Sequence, residues 1–418
     1  MKFMPFILVI CMSCCGASLR AQEDSERWWK GNLHTHSFWS DGNDFPEMIV
    51  DWYVQHDYNF LALSDHNTLN AGIKWMPVNK LIERATDQVV EKYKARFGEH
   101  WVESRSEENA EQIRLKPLNE YAPLFQQAGK FLVLAGEEIS DRAEGKPVHI
   151  NASNIGRVIE PQRGQTVKET IRNNLRAIIE QEKELGRPIF PHVNHPNFGY
   201  AITAQDMAEV VQEQFFEIYN GHPGVNQLGD DEHISIEKMW DVANYMRLDK
   251  LQSPPLYGIA TDDCHEYHGR PGSRPGRGWV MVKSRFLTPE YLIRSLREGE
   301  FYASSGVSLA EMKFSAEEGE HGMGRLSLMV EPESEQEFTV QFIGSLRSEP
   351  DGEEEDKAIG VVLRETKGNS ASYDLTGDEL YVRAVVTSTA DHPDPSLAGQ
   401  KLQAWTQPVG WQRYLEKK

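Results

Sequence analysis

Cysteine is scarce in this chain of 418 residues, which contains only four. Three of them, Cys11, Cys14 and Cys15, fall in an N-terminal stretch with a basic start, an apolar run over 3–12 and small residues before Ala21. This pattern is typical of a secretion signal, and we expect cleavage after Ala21. The exported chain would then keep Cys264 as its one thiol, which excludes an intramolecular disulfide. A lipoprotein signal, lipidated on Cys14 or Cys15, is the alternative, and both interpretations predict an exported, periplasmic or extracellular protein.

A long apolar run and an excess of positive charge are also missing. The run over 3–12 is too short to span a bilayer, so we expect no transmembrane segment after signal cleavage. The chain has 44 basic and 64 acidic residues, a net charge of −20. This balance argues against a general binder of nucleic acid or anionic membranes, because no basic surplus is left to neutralise phosphates. A small anionic substrate stays compatible, because a local metal cluster can reverse the field around it.

Strand-like and helical segments alternate through the first three hundred residues. The predicted strands cover 30–34, 60–64, 131–138, 147–151, 188–194, 215–219 and 257–261. Helical patterns between strands indicate an α/β fold with a parallel sheet and crossover helices. Seven strands favour a closed or nearly closed barrel, with an open sheet as the alternative. In a barrel, the chemistry gathers at the C-terminal ends of the strands.

Two regions depart from this alternation. Residues 67–130 form an unusually long connection with helical patterns over 78–96 and 108–127. We interpret it as a helical insertion above the strand ends, which either shapes a substrate pocket or only decorates the surface. Alternating segments with acidic and Gly-containing turns predict a small β-sandwich over 305–418, with packing favoured over carbohydrate binding as its role. The main domain would then cover 22–304, after a signal peptide over 1–21.

Histidines and acidic residues recur where the predicted strands end. In chain order they are His34, His36, Asp41, Asp65, His66, Glu137, Glu138, His149, His192, His195, Glu217, Asp262, Asp263 and His265. One histidine alone is more often structural than a ligand. In His-x-His on a strand, however, both rings share a face and can chelate one ion. Burying so many ionisable groups would be costly without compensation, so the sequence predicts a metal centre.

The order of these motifs resembles that of the PHP (polymerase and histidinol phosphatase) superfamily. HTHxxxSDG, SDH, GxEIS, VHI, HP and DxH follow one another over about 28–304. The later segments EGEFYASSGVSL and AWTQPVGW are similar to a secreted branch of metallohydrolases related to carbaryl hydrolase. The resemblance implies a distorted (β/α)7 barrel of the PHP type with two or three divalent metal ions, and it implies phosphoester hydrolysis.

Carried over motif by motif, the resemblance assigns nine metal ligands. The first metal would bind His34, His36, Glu138 and Asp263, the second Glu138, His149 and His195, and the third Asp41, His66 and His265. Glu138 rather than Glu137 fits the GxEIS motif, and Asp263 rather than Asp262 fits DxH. Some members have histidine where Asp41 stands, and a carboxylate there shifts the preference from zinc toward manganese, iron or magnesium. Manganese, iron and zinc all stay open.

Other residues near these motifs receive supporting roles. We expect Asp65 to assist catalysis by orienting a ligand histidine, and His192 to be structural or to contact substrate. The loop over 265–279 carries Arg270, Arg274 and Arg277. These arginines either grip a substrate phosphate or are solvated, and Arg277 is the favoured catalytic contact. Cys264 lies between two predicted ligands and should face away from the metals, so a nucleophilic thiol is rejected.

The leading functional hypothesis is a secreted metal-dependent phosphoesterase acting on a phosphomonoester, phosphodiester or nucleotide. A metal-bridging hydroxide would attack, so no serine or cysteine nucleophile is needed. One alternative keeps the metals but cleaves a carbamate, ester or amide. Another is a non-catalytic protein that binds metal or glycan, against which the near-complete ligand set argues.

Overall fold

The structure is a computed structural model, and it describes residues 26–107, 109–332, 336–347 and 358–415. The predicted signal peptide lies outside the described residues. Within those ranges, every helix is too short or too polar to cross a bilayer.

Nineteen strands and nine α-helices occur in the described residues. The strands are β1 (Arg27–Asn32), β2 (Phe60–Leu63), β3 (Lys74–Pro77), β4 (Ser104–Glu107), β5 (Ala110–Leu115), β6 (Leu132–Ala143), β7 (Lys146–Ser153), β8 (Phe190–Val193), β9 (Phe215–Asn220), β10 (Tyr257–Thr261), β11 (Trp279–Ser284), β12 (Phe301–Ser304), β13 (Leu309–Ser315), β14 (Arg325–Val330), β15 (Phe338–Leu346), β16 (Val361–Lys367), β17 (Ser370–Asp374), β18 (Glu379–Asp391) and β19 (Lys401–Thr406). The helices are α1 (Pro46–Gln55), α2 (Val78–Arg84), α3 (Val89–Phe97), α4 (Leu118–Tyr121), α5 (Val167–Leu185), α6 (Ala204–Glu209), α7 (Ile236–Tyr245), α8 (Pro289–Glu298) and α9 (Gln412–Leu415). A 3-10 turn (Ala122–Leu124) and a π-helical turn (Met246–Lys250) complete the set.

Local sequence signals fix the ends of several helices. The Thr166 side chain accepts a hydrogen bond from the backbone of Glu169 at the start of α5, and Gly186 ends that helix with a φ of 61°. Thr203 and Asp206 form a capping box at the start of α6. Such caps satisfy backbone groups that the helix itself leaves unpaired.

Thirteen strands form one sheet in the order β10-β9-β8-β7-β6-β2-β1-β11-β12-β19-β18-β15-β16. All seven predicted strands occur in it, and the expected mixed α/β architecture is confirmed. In the described residues this ladder does not close on itself. An isolated parallel bridge nevertheless joins Thr35 to Cys264, which lie just beyond β1 and β10. Closure of the seven strands into a barrel stays a prediction.

The expectation that these strands are all parallel is wrong for β7, which runs antiparallel to both β6 and β8. Only Glu144 and Gly145 connect β6 to β7, with φ values of 53° and 77°. A two-residue turn with positive φ closes a hairpin, whereas a parallel connection needs a crossover of a dozen or more residues. The turn therefore forces the antiparallel pairing.

The expectation of a helical insertion over 67–130 is also partly wrong. The first helical pattern contains α2 and α3, but β5 occupies a segment where the second pattern predicted helix. Ile113 and Leu115 of β5 are buried at a spacing of two, against Leu81 and Tyr93. Strands β3 and β4 pair with β5 on either side. Burial of every second side chain therefore favours a strand over a helix in this segment.

The strands beyond residue 305 divide between two sheets. β15, β16, β18 and β19 extend the main sheet through the pairing of β12 with β19, whereas β13, β14 and β17 form a separate sheet. Side chains such as Leu326, Val340 and Val382 share one buried cluster. Their organisation as a separate β-sandwich domain stays a prediction.

Candidate metal centre

The predicted ligands meet at one end of the strands from β1 to β10, because backbone hydrogen bonds join the segments that follow these strands. The His36 amide donates to the Cys264 carbonyl at 2.9 Å, and the Ser64 amide donates to the Thr35 carbonyl at 2.9 Å. The Asn67 amide donates to the Glu138 carbonyl at 2.9 Å. Four of the motifs, HTH, SDH, GxEIS and DxH, therefore deliver their side chains to the same small volume.

Four buried side chains form the middle of this cluster. The Asp263 Oδ1 atom lies 3.2 Å from His34 Nε2 and 3.3 Å from His36 Nε2. The Glu138 carboxylate lies 3.5 Å from His34 Nε2 and 3.4 Å from His36 Nε2. These are the four residues that the resemblance assigns to the first metal.

Glu138 also reaches three further histidines. Its Oε1 atom lies 3.0 Å from His149 Nδ1 and 3.4 Å from His195 Nε2. Its Oε2 atom lies 2.8 Å from His66 Nδ1. One fully buried carboxylate thus adjoins the groups assigned to all three metals, which suits a bridging ligand.

The Asp41 carboxylate faces the open side of the cluster and is 56% exposed. It lies 3.3 Å from both His66 Nε2 and His265 Nε2, and 3.5 Å from His36 Nδ1. The structure therefore brings the three residues assigned to the third metal together, and it adds His36 as a neighbour.

The donor set fits divalent metal ions. The buried atoms His34 Nε2, His36 Nε2 and Glu138 Oε2 have no hydrogen-bond partner among the described residues. Leaving such atoms unsatisfied is costly unless something binds them. Four groups of side chains in the described residues could each hold an ion: His36, Asp41, His66 and His265; His34, His36 and Glu138; His66, Glu138 and His149; and His34, His192 and Glu217.

At His36 and Glu138, electrostatics favours the protonation states that metal ions require, whereas at His34, His66, His195 and His265 the neighbouring carboxylates outweigh burial and raise the pKa. Burial and the neighbouring His265 lower the pKa of His36 to about 3, so its ring stays neutral. Burial would raise the pKa of Glu138, but His66 and His34 lower it far below its ordinary range. Neutral imidazole and ionised carboxylate are the ligand forms of these groups.

Two of the clustered residues have unusual backbone conformations. His195 has a φ of 23° and Asp263 a φ of 48°, in the left-handed region that non-glycine residues rarely adopt. Such conformations cost on the order of 1–3 kcal/mol and concentrate at functional sites. At Asp263 the turn also separates its side chain from that of Asp262, which accepts hydrogen bonds from Tyr53 and the backbone of 276–278 instead.

Glu217 lies behind the cluster and fixes the orientation of His34. Its Oε1 atom accepts from His34 Nδ1 at 2.7 Å, so the Nε2 atom of that ring carries no proton when the ring is neutral. Its Oε2 atom accepts from the His195 backbone at 2.8 Å and from Asn220 Nδ2 at 2.7 Å.

Two other polar side chains in the cluster were not predicted from the sequence. Asn194 donates to Glu138 Oε1 at 2.7 Å, and the Ser140 hydroxyl forms a hydrogen bond with His66 Nδ1. Both residues directly adjoin or lie within the ligand motifs, since Asn194 precedes His195 and Ser140 ends GxEIS. Their place within or beside the ligand motifs is the sequence feature that could have identified them.

Asp65 is completely buried and holds the segment that leads to Asp41. Its Oδ1 atom accepts from the Ser37 and Ser40 backbones at 2.8 and 3.0 Å, and its Oδ2 atom accepts from Ser37 Oγ at 2.7 Å and Asn70 Nδ2 at 2.8 Å. Its contacts therefore shape the loop rather than a histidine ring.

His192 is also completely buried, with neither ring nitrogen hydrogen-bonded within the described ranges. Its ring lies beside that of His34, with centroids 6.4 Å apart. Cys264 faces away from the cluster and its thiol lies 3.5 Å from the Ser273 carbonyl. Burial raises the pKa of this thiol well above its ordinary value, which disfavours a thiolate.

The three loop arginines all have partners within the chain. Arg270 contacts Glu266 at 3.2 Å, and Arg274 pairs with Asp394. Arg277 is 2% exposed and donates to the carbonyls of Gly221 and Gly272 at 2.8 Å, and to Asp394 as well. Most of its donors are thus used inside the chain.

No protein-family model and no curated protein matches the chain. Several solved structures resemble it distantly, among them the following two. A two-domain protein from Bacteroides vulgatus, containing a predicted PHP-like metal-dependent phosphoesterase, is 14% identical with a TM-score of 0.39, over 92% of this chain and 96% of that chain. A proposed metal-dependent phosphoesterase from Bifidobacterium adolescentis is 12% identical with a TM-score of 0.32, over 64% of this chain and 94% of that chain.

Proposed function

We propose that this chain is a metal-dependent phosphoesterase of the PHP type. One observation carries the proposal: the nine residues that match the motif series converge on one volume, where the buried atoms His34 Nε2, His36 Nε2 and Glu138 Oε2 have no hydrogen-bond partner in the described residues. A structural histidine would instead spend its ring nitrogens on hydrogen bonds. In this proposal the chain is exported, and its seven ligand-bearing strands form a distorted barrel followed by an accessory β-sandwich.

The proposed ligands form three groups around Glu138, which belongs to two of them and lies beside His66 of the third. His34, His36, Glu138 and Asp263 hold one ion, Glu138, His149 and His195 a second, and Asp41, His66 and His265 a third. Divalent ions held in this way supply Lewis acidity, which activates water and offsets the negative charge that develops on a phosphoryl group. Manganese, iron and zinc all suit these mixed ligands.

The chain's own residues set the geometry of this chemistry. Glu217 keeps the proton of His34 on Nδ1, and Asp65 holds the loop that carries Asp41. The buried thiol of Cys264 is directed away from the cluster, so the nucleophile is water. The exposed carboxylate of Asp41 marks the side from which a substrate enters.

Activity assays with purified, manganese-loaded protein test this proposal. We expect hydrolysis of p-nitrophenyl phosphate or of its bis-ester, and loss of both activity and bound metal in His36→Ala. His321→Ala, which removes an exposed histidine away from the cluster, is the matched control and should keep both. Full activity in His36→Ala would refute the assigned centre. Turnover of 1-naphthyl esters or carbamates without any phosphoester hydrolysis would make the chain a carboxyl-ester or carbamate hydrolase instead.

A further inference from the structure

Two cations of the insertion stand beside the loop that carries Asp41. Lys74 is the first residue of β3, and Arg84 is the last residue of α2. The Lys74 ammonium donates to the Trp39 carbonyl, and the Arg84 guanidinium donates to the Gly42 carbonyl. Asp41 lies between these two carbonyls in sequence, so both cations adjoin the open side of the candidate metal centre.

Neither cation has a carboxylate partner among the described residues, which distinguishes the pair from other cations nearby. In the same insertion, Lys116 pairs with Glu103, and Arg114 pairs with Glu120. The arginines of the loop over 265–279 are likewise paired with acids. Lys74 and Arg84 are both half-buried, and a half-buried cation without a counter-ion is costly unless an anion binds it.

Each of the two cationic side chains lies near the face of an aromatic ring. The Lys74 Nζ atom lies 5.4 Å from the ring centroid of Trp39, and the Arg84 guanidinium carbon lies 5.2 Å from that of Phe38. Burial lowers the pKa of both groups, while Asp65 acts on both and Asp41 on Arg84 to raise it. The cations therefore lie close enough to the carboxylates of this region to interact with their charge.

We propose that Lys74 and Arg84 form an anion subsite that binds the phosphoryl group of the substrate beside the metals. The inference rests on the proposed phosphoesterase function and narrows its substrate class. Each side chain keeps unused N–H donors, because an ammonium has three, a guanidinium has five, and each donates only one described hydrogen bond. Arginine matches phosphate oxygens in a bidentate manner, and lysine adds a point charge. Two cations favour the dianion of a phosphomonoester over the monoanion of a phosphodiester.

Phosphate binding tests the subsite directly. Titration calorimetry of manganese-loaded wild type, Lys74→Met and Arg84→Met with inorganic phosphate measures the affinity without turnover. Losing one charge-assisted hydrogen bond should weaken phosphate binding roughly 10-fold or more in each variant. Arg84→Lys should restore part of the affinity. Lys80→Met, which removes an exposed cation paired with Glu83 on the same helix, should bind phosphate as the wild type does.

Metal content separates substrate binding from a role in shaping the Asp41 loop. Elemental analysis should find the same metal per chain in both variants and the wild type. Loss of metal together with phosphate affinity would overturn the proposal, because the cations would then serve the loop. Wild-type phosphate affinity in both variants would overturn it as well.

Kinetics distinguishes failure of the subsite from failure of the proposed function. In both variants, kcat/KM for p-nitrophenyl phosphate should fall more than that for the bis-ester. Equal falls would overturn the preference for the dianion. Phosphate binding that depends on Lys74 and Arg84, in a wild type that hydrolyses no phosphoester, would support the subsite and refute the phosphoesterase. Hydrolysis that neither substitution affects would support the phosphoesterase and refute the subsite.

Discussion

Replacing Glu217 with glutamine should weaken metal binding while the protein stays folded. The Glu217 carboxylate is completely buried and accepts from His34 Nδ1 and Thr261 Oγ1 on one oxygen, each at 2.7 Å. The other oxygen accepts from the His195 backbone at 2.8 Å and from Asn220 Nδ2 at 2.7 Å. A carboxamide must turn its NH2 group toward one of these two pairs.

The His195 amide can only donate, and Asn220 is held because its own oxygen accepts from the His222 backbone at 2.8 Å. The carboxamide oxygen will therefore face these two donors, and the NH2 group will face His34 and Thr261. His34 can adapt by moving its proton from Nδ1 to Nε2, and Thr261 can adapt by rotating its hydroxyl. That proton then occupies the atom that would bind metal.

The effect on unfolding and the effect on metal binding are measured in separate experiments. Exchanging the carboxylate for a neutral acceptor costs about 1–3 kcal/mol of unfolding free energy. Removing a partner that orients a ligand histidine weakens metal binding roughly 10–100-fold. Urea unfolding followed by tryptophan fluorescence measures the first quantity, and manganese titration calorimetry measures the second.

Glu213→Gln is the matched control for Glu217→Gln. Glu213 is also buried and lies just before β9, but one of its oxygens accepts from two backbone amides and the other has no partner in the described residues. Its carboxamide loses no hydrogen bond, so metal affinity should stay at the wild-type value. Unchanged manganese affinity in a folded Glu217→Gln protein would refute the proposed control of the His34 proton.

Three further predictions concern residues away from the ligands. Burial raises the pKa of Glu47 from 4.5 to about 7, so its contribution to stability is full below pH 4.5 and is lost as pH rises through 7. Glu47→Gln should therefore flatten the fall in urea-unfolding free energy between pH 5 and 8, by up to about 3 kcal/mol, and an unchanged slope would contradict the assigned pKa. Asp241→Asn should lower the free energy of unfolding in urea by roughly 3–5 kcal/mol, because it leaves the buried guanidinium of Arg383 without its bidentate partner. A loss below about 1 kcal/mol would contradict this. Arg277→Met should lower the melting temperature in calorimetry, whereas the exposed Arg270→Met should not, and equal shifts would show that burial of Arg277 is not what matters.

The positions of the strands and of the ligand motifs could be predicted because both depend on local patterns. In each ligand motif a histidine or a carboxylate follows a strand within a few residues, so a short stretch of sequence is enough to recognise it. Parallel strands then bring these strand ends to one edge of the sheet. β1, β2, β9 and β10 follow this logic. The hairpin between β6 and β7 departs from it, because the two-residue turn Glu144-Gly145 joins these strands directly, without a crossover helix. Glu-Gly is a weaker hairpin signal than Asn-Gly or Asp-Gly, so the local sequence does not reveal the antiparallel pairing.

The partners of the cations could not be predicted, because counter-ions come from distant parts of the chain. Arg277 lies next to a ligand strand in sequence, yet its guanidinium contacts Asp394, 117 residues away. Lys74 and Arg84 carry no motif, and only the folded insertion places them beside the Asp41 loop, where neither has an acidic partner in the described part of the chain. A charge close to a motif in sequence is therefore a weak guide to substrate binding. In this fold the better criterion is a half-buried charge without a partner, since an incoming anion would compensate its desolvation.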